Sequence, residues 1–179
     1  MSWLKRFERR LEPFAIPHLT LYIVIGQVFV YLSFLLHLLD PIRIIFVPAL
    51  VLRGEVWRLF TFLFIPPVGY RGTVDITLFA FVMYFLYFIG NTLEGYWGVL
   101  RYNLFLLPGW LLTVGLAFVT PIDTGSNLFI AGSIFLAFAY LHPDFVIYIF
   151  FILPVKIRWV AIVTWVGYAW MFFTGELPD

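Results

Sequence analysis

Cysteine is absent from this 179-residue sequence. That excludes disulfide bonds, thiolate chemistry and cysteine-based metal sites. Histidine is scarce, at three residues, and no HxxxH or HxxE pair occurs, so a zinc site is not expected. There is no P-loop, dinucleotide fingerprint or haem-ligating histidine pair, and hence no cofactor is expected. Charged residues make up only 12% of the chain, where a soluble domain has about a quarter. The net charge is +1, and without a basic stripe nucleic acid is not an expected partner. What is abundant is apolar surface: 63% of residues are hydrophobic and 22% aromatic. Too little polar surface remains to wrap such a core in water. The solvent for most of this chain is expected to be lipid.

The chain divides into a basic arm, residues 1–18, and a membrane domain, residues 19–179. In the arm, Lys5, Arg6, Arg9 and Arg10 stand against Glu8 and Glu12, while Leu4, Phe7 and Leu11 form one apolar helical face. Such a segment lies on a membrane surface, and Pro13 and Pro17 end it. The first long apolar run follows this arm and has no small-residue cleavage site, so it is expected to be retained rather than removed as a signal peptide.

Five spans are expected, at about 19–39, 76–93, 102–119, 128–141 and 159–174. The fourth is short and is expected to sit inside the bundle. Pro108 makes a kink plausible in the third. Between the first two spans, residues 40–75 are too charged for a span and too apolar for a loop in water. Arg43, Arg53, Glu55, Arg58 and Arg71 break a sequence rich in Ile, Leu, Phe and Trp, the pattern of an interfacial structure half sunk among headgroups. Placing the N-terminus in the cytoplasm puts Lys5, Arg6, Arg9, Arg10, Arg101, Lys156 and Arg158 inside, against Arg43, Arg53, Arg58 and Arg71 outside. The lysine and arginine bias therefore favours a cytoplasmic N-terminus and an outside C-terminus.

Physical roles can be assigned to several boundary residues. Arg58, beside Trp57 in an apolar loop, offers five donors to backbone carbonyls that have no partners in lipid; the tryptophan can anchor the loop at the interface. Glu94, next to Gly95 and Gly98, can cap backbone N–H groups of the turn into the third span, or meet Arg101. For both residues a structural role is favoured over a functional one.

Three fragments, in order, resemble the rhomboid superfamily of intramembrane proteins. Gly54-Glu55-Val56-Trp57-Arg58-Leu59-Phe60-Thr61 is similar to the tryptophan-arginine segment of the rhomboid first loop. Gly90-Asn91-Thr92-Leu93-Glu94, with Gly98 and Arg101, is similar to the family's G-x-x-x-E-x-x-x-G turn. Leu141-His142-Pro143, followed by residues 150–159 with Pro154, Lys156 and Trp159, resembles the FFIPVKxKW run before the fifth helix. The resemblance covers most of residues 19–170 and implies an all-α polytopic bundle. Family members usually have at least six spans, against the five expected here.

An active rhomboid has a serine in its fourth helix within G-x-S-G, a histidine in its sixth, and an asparagine and a histidine on the second that hold the oxyanion. A serine hydroxyl needs a base, and the intermediate needs donors. The resemblance aligns Ile134-Phe135 with the family's S-G-A-I-F, which puts Ala131 at the nucleophile position and Gly132 after it. Ser133 is two residues on, turned by about 200° on a helix, and Ile134 follows it instead of glycine. Counting back from Gly90, the oxyanion asparagine falls at Val82 and the histidine at Leu78. No histidine follows His142. Ser133 is expected to bond a carbonyl one turn back or to pack in a small-residue surface with Ala131, Gly132 and Ala137. His142, His37 and His18 stand near span ends and read as structural or interfacial, and Asp75, Asp123 and Asp144 read as loop residues.

The resemblance therefore implies a catalytically inactive rhomboid-like protein, one that binds transmembrane partners or clients in an integral membrane such as a bacterial inner membrane. A lateral opening near the second and fifth spans is the contact the family implies. Membrane lipids are the other expected partner. A fixed subunit of a larger membrane complex is the alternative from a different class. A residual serine protease using Ser133 is less favoured, and a transporter least, since no paired intramembrane charges or inverted repeats are visible.

Overall fold

The computed structural model describes residues 10–66, 76–119, 125–149 and 153–174. The fold is mostly helical. In chain order the elements are α1 (Leu19–Leu35), α2 (Pro48–Val51), α3 (Arg58–Thr61), α4 (Ile76–Trp97), α5 (Val99–Ala117), α6 (Leu128–Leu141), β1 (Val146–Ile149), β2 (Leu153–Lys156) and α7 (Ile157–Thr174), with short 3-10 turns at Glu12–Phe14, Pro41–Arg43 and Phe62–Phe64. Among the described residues three helical segments, Glu12–Leu35, Ile76–Trp97 and Val99–Ala117, are long and apolar enough to cross a membrane. The apolar helix α6 is shorter; at about 1.5 Å per residue its length falls short of a hydrocarbon core of about 30 Å.

The chain divides into two compact units, residues 1–131 and 132–179. In the first, α1 packs on α4, and α4 on α5. The sequence at these contacts is chosen for close approach. Gly90 on α4 lies against Thr20 on α1, where a Cβ would collide with the threonine side chain. Tyr31 on α1 stacks on Phe79 of α4 with ring centroids 3.7 Å apart. The buried residues of α1 are Thr20, Val24, Gln27, Val30 and Ser33, a helical stripe that carries all the polar side chains of that helix except Tyr22 and Tyr31.

Helix ends explain where the expected spans were off. The first span was expected to reach residue 39, but α1 stops at Leu35. His37 adopts a left-handed φ of 54°; its N–H donates to the Phe34 carbonyl and that of Leu38 to the Ser33 carbonyl. This is a Schellman ending, in which one left-handed residue satisfies the last carbonyls. The second span was expected to end at residue 93. Instead α4 continues to Trp97, and Gly98 alone, at φ 84°, separates it from α5. A side chain at that φ would be strained. Pro108 sits inside α5, where it removes one backbone donor.

The segment joining the first two expected spans has a core of its own. Phe46 and Phe62 are fully buried and stack at 5.3 Å, and Phe118 meets Phe46 edge-on. Phe46 forms an isolated antiparallel bridge with Gly125. The segment is thus folded against the helices through residue 66. Residues 67–75, which include Arg71 and Asp75, lie outside the described residues, as do Asp123, the arm residues Lys5, Arg6 and Arg9, and the C-terminal five.

The second unit holds the largest departure from expectation. Residues 145–158 read only as a lead-in to the last span. Here β1 and β2 pair antiparallel, with Val146 opposite Lys156, Ile147 opposite Val155, Tyr148 opposite Pro154 and Ile149 opposite Leu153. The Ile157 N–H donates to the Phe145 carbonyl at 2.8 Å, closing the hairpin base. Lys156 Nζ donates to Asp144 Oδ1 at 2.9 Å, and Arg158 stands 3.9 Å from the same oxygen. The Lys156 hydrogen bond, then its charge, then the charge of Arg158 hold the Asp144 carboxyl below its usual range. The folded-state value is depressed, so the pair contributes in full above the ordinary carboxylate value of about 4 and is lost as the pH falls through the lowered one. Asp144→Asn is therefore expected to weaken the hairpin base near neutrality, and the difference from the parent to vanish in acid. Hydrogen exchange of the Phe145 and Ile157 amides across that range measures it.

Candidate functional site

Two clusters gather the polar residues of the first unit. The first is built by Arg58. Its side chain is almost fully buried, 4% exposed, at the start of α3. One terminal nitrogen, Nη1, donates to the Ile42 and Ile45 carbonyls at 2.7 and 2.6 Å. Nε and Nη2 both reach Glu55 Oε2, at 2.7 and 2.6 Å. Thr61, one turn on, donates to the Ile44 carbonyl at 3.0 Å. Trp57 keeps half its surface exposed, and its indole makes a long contact, 3.4 Å, to the Arg43 carbonyl. Three carbonyls of irregular backbone, those of Ile42, Ile44 and Ile45, are thus satisfied by side chains from α3. Lipid could not do this.

The same segment is tied to its surroundings by amides and an indole. Gln27 of α1 donates to the Leu63 carbonyl at 3.0 Å. Asn127, just before α6, donates to Leu63 and Ile65 carbonyls at 3.1 and 2.7 Å. Trp110 of α5 donates to the Leu59 carbonyl at 2.9 Å and stacks on Phe60.

The second cluster lies where the chain enters α1. Glu94 is buried, and its Oε1 accepts the His18 N–H at 2.8 Å. His18 stands at φ 55° immediately before the helix; the carboxylate holds that uncommon left-handed conformation. The expected cap was on the turn into α5; the carboxylate caps the entrance to α1 instead, because Glu94 lies within α4 and faces α1. Beside it Thr20 and Tyr102 share a hydroxyl–hydroxyl hydrogen bond. Asn103 pairs with the backbone of Ile16 twice, accepting its N–H at 3.1 Å and donating to its carbonyl at 3.0 Å. Glu94→Ala is expected to lower stability by about 1 kcal/mol by removing the acceptor of the part-buried His18 N–H. Glu94→Gln keeps an acceptor and should lose much less. Thermal unfolding in detergent compares them; equal losses would mean that charge rather than acceptance matters.

The positions that resemblance marks for chemistry hold no nucleophile or donor. Leu78, exposed, and Val82, half-buried, stand one turn apart on α4. Ala131 is half-buried on α6; Ser133, also half-buried, lies two residues on. Gly132 between them is buried beneath the Tyr168 phenol, and a Cβ there would collide with it. His142 stacks on Phe138 at 4.8 Å. Of the remaining structural candidates, Gly98 makes the α4–α5 turn, Arg101 is exposed on the first turn of α5, and Pro154 and Lys156 stand on β2. Among the described residues no group of three or more histidine, aspartate or glutamate side chains could hold a metal. Sequence reasoning did not single out Gln27, Thr20, Tyr102, Asn103, Trp110 or Asn127. Their signal was present in part: lone polar residues inside apolar runs face a protein interior.

No family model matches this chain, and comparisons with curated proteins and with solved structures give no match either.

Proposed function

We propose that this chain is a polytopic membrane protein of rhomboid-like layout that binds transmembrane partners or clients and does not cleave them. On this reading α1, α4, α5, α6 and α7 make five crossings, with the N-terminus cytoplasmic, the C-terminus outside, and a bacterial inner membrane as the setting. What supports it is a contrast between two sets of residues. Those assigned to holding the fold are engaged: Arg58 binds two carbonyls and a carboxylate, Gly90 admits Thr20, and Glu94 caps α1. Those aligned with chemistry are Ala131, Leu78 and Val82, which can neither attack a carbonyl nor donate to an oxyanion.

A second reading, a fixed subunit of a larger membrane complex, is favoured by α5. Only Tyr102 and Leu106 of that helix are buried, while Leu107, Leu111, Leu112 and Leu116 are exposed, which leaves a long apolar face for a permanent neighbour. Purification from the native membrane in mild detergent, followed by mass spectrometry, separates the two. A variable mixture of single-pass proteins at low occupancy supports client binding. One set of proteins in constant ratio makes the chain a subunit. Labelling by a serine-directed fluorophosphonate, abolished by Ser133→Ala, would overturn the non-enzymatic reading itself.

A further inference from the structure

The β1–β2 hairpin has two faces of different exposure. Ile147 and Val155, opposite each other, are half-buried. On the other face Val146, Tyr148, Pro154 and Lys156 are all exposed, Tyr148 at 57%. Arg158 and Trp159, which follow immediately, are exposed as well, with the guanidinium 5.5 Å from the indole. This face is apolar and aromatic in its middle and basic at its base.

Two physical constraints bear on where such a face can lie. A two-stranded hairpin leaves the outer N–H and C=O groups of both strands without ladder partners, so the hydrocarbon core excludes it. A face of Val, Tyr and Pro is equally poorly suited to bulk water. The headgroup layer satisfies both, since it offers water and phosphate to the backbone edges and acyl chains to the side chains. The residue types agree: tyrosine and tryptophan concentrate at that level, and lysine and arginine extend to it from an apolar stem. Against them Asp144 is the one carboxylate in contact with Lys156 or Arg158 among the described residues, which leaves one positive charge in excess for lipid phosphate.

We propose that the exposed face of the β1–β2 hairpin lies flat in the lipid headgroup layer, with Lys156 and Arg158 at the phosphates. This rests on the membrane reading above, and the test separates the two. The chain has no cysteine, so an introduced cysteine is the sole attachment point for an environment-sensitive fluorophore. Tyr148→Cys and Leu112→Cys, labelled and reconstituted in phosphatidylcholine–phosphatidylglycerol vesicles, are quenched by lipids spin-labelled near the headgroup or near the chain end, and by aqueous iodide. Leu112, on the exposed side of α5, reports the bilayer interior. The proposal expects the Tyr148→Cys probe to be quenched most by the shallow label, and several-fold less by iodide than the same dye on free cysteine. Iodide quenching equal to the free dye, strongest quenching by the deep label, or insensitivity to all three overturns it, the last because protein rather than lipid then covers the face. If the Leu112→Cys probe is not quenched by the deep label, it is the membrane reading that fails.

Discussion

Replacing Arg58 with glutamine is expected to destabilise the protein by about 3 kcal/mol or more, the range found when one partner of a buried charged pair is removed. The loss has two parts. The Ile42 and Ile45 carbonyls lose their donors, and the Glu55 carboxylate loses the cation paired with it. Glu55 keeps about a third of its surface, 33%, so water softens its share; the buried carbonyls have no such relief. Arg58→Lys should recover little, because an ammonium cannot hold two carbonyls and a carboxylate in one plane. Glu55→Gln, by contrast, leaves the two carbonyl bonds in place and should cost much less. Thermal unfolding in detergent orders the three variants. A lysine variant as stable as the parent would show that charge, not the forked geometry, holds residues 42–45.

Gly90→Leu is expected to separate α1 from α4. A Cβ at Gly90 meets Thr20 Cβ, Oγ1 and Cγ2 together, and a β-branched side chain has few rotamers with which to yield. Overpacking of this kind costs about 1–3 kcal/mol for small additions, and leucine adds more than one methylene. The shift also reaches the second cluster, because Thr20 holds Tyr102 and Glu94 on the next turn caps His18. Gly95, one turn away, has open space around it, so Gly95→Leu is the control that should leave unfolding nearly unchanged. Equal losses at both positions would mean that helix propensity or lipid contact, not the α1–α4 approach, decides.

The three long apolar helices were legible because long apolar runs read directly as spans. The limits of α6, Leu128–Leu141, follow from the polar TGSN before it and the HPD after it. Ends set by a single backbone angle were not legible: nothing in Leu36-His37-Leu38 announces that His37 turns left-handed. The role of Arg58 could be read from chemistry, since a guanidinium in an apolar loop needs acceptors, but which carbonyls it takes depends on the fold of residues 42–45. Glu94 shows the same limit. Its capping capacity was visible, yet the N–H it serves lies 76 residues away at His18. The hairpin escaped because a short apolar run with β-branched and aromatic residues reads alike as strand or as span approach. Tertiary pairing decided it.

Client binding would take place on the exposed faces of α4 and α7 in the native membrane. A photocrosslinking residue at Tyr84 on α4, or at Trp165 on α7, both exposed, tests this in living cells. Client binding predicts adducts with several transmembrane proteins, reduced when a bulky residue is introduced one turn away. Adducts with lipid alone, or with a single protein in constant ratio, would contradict it.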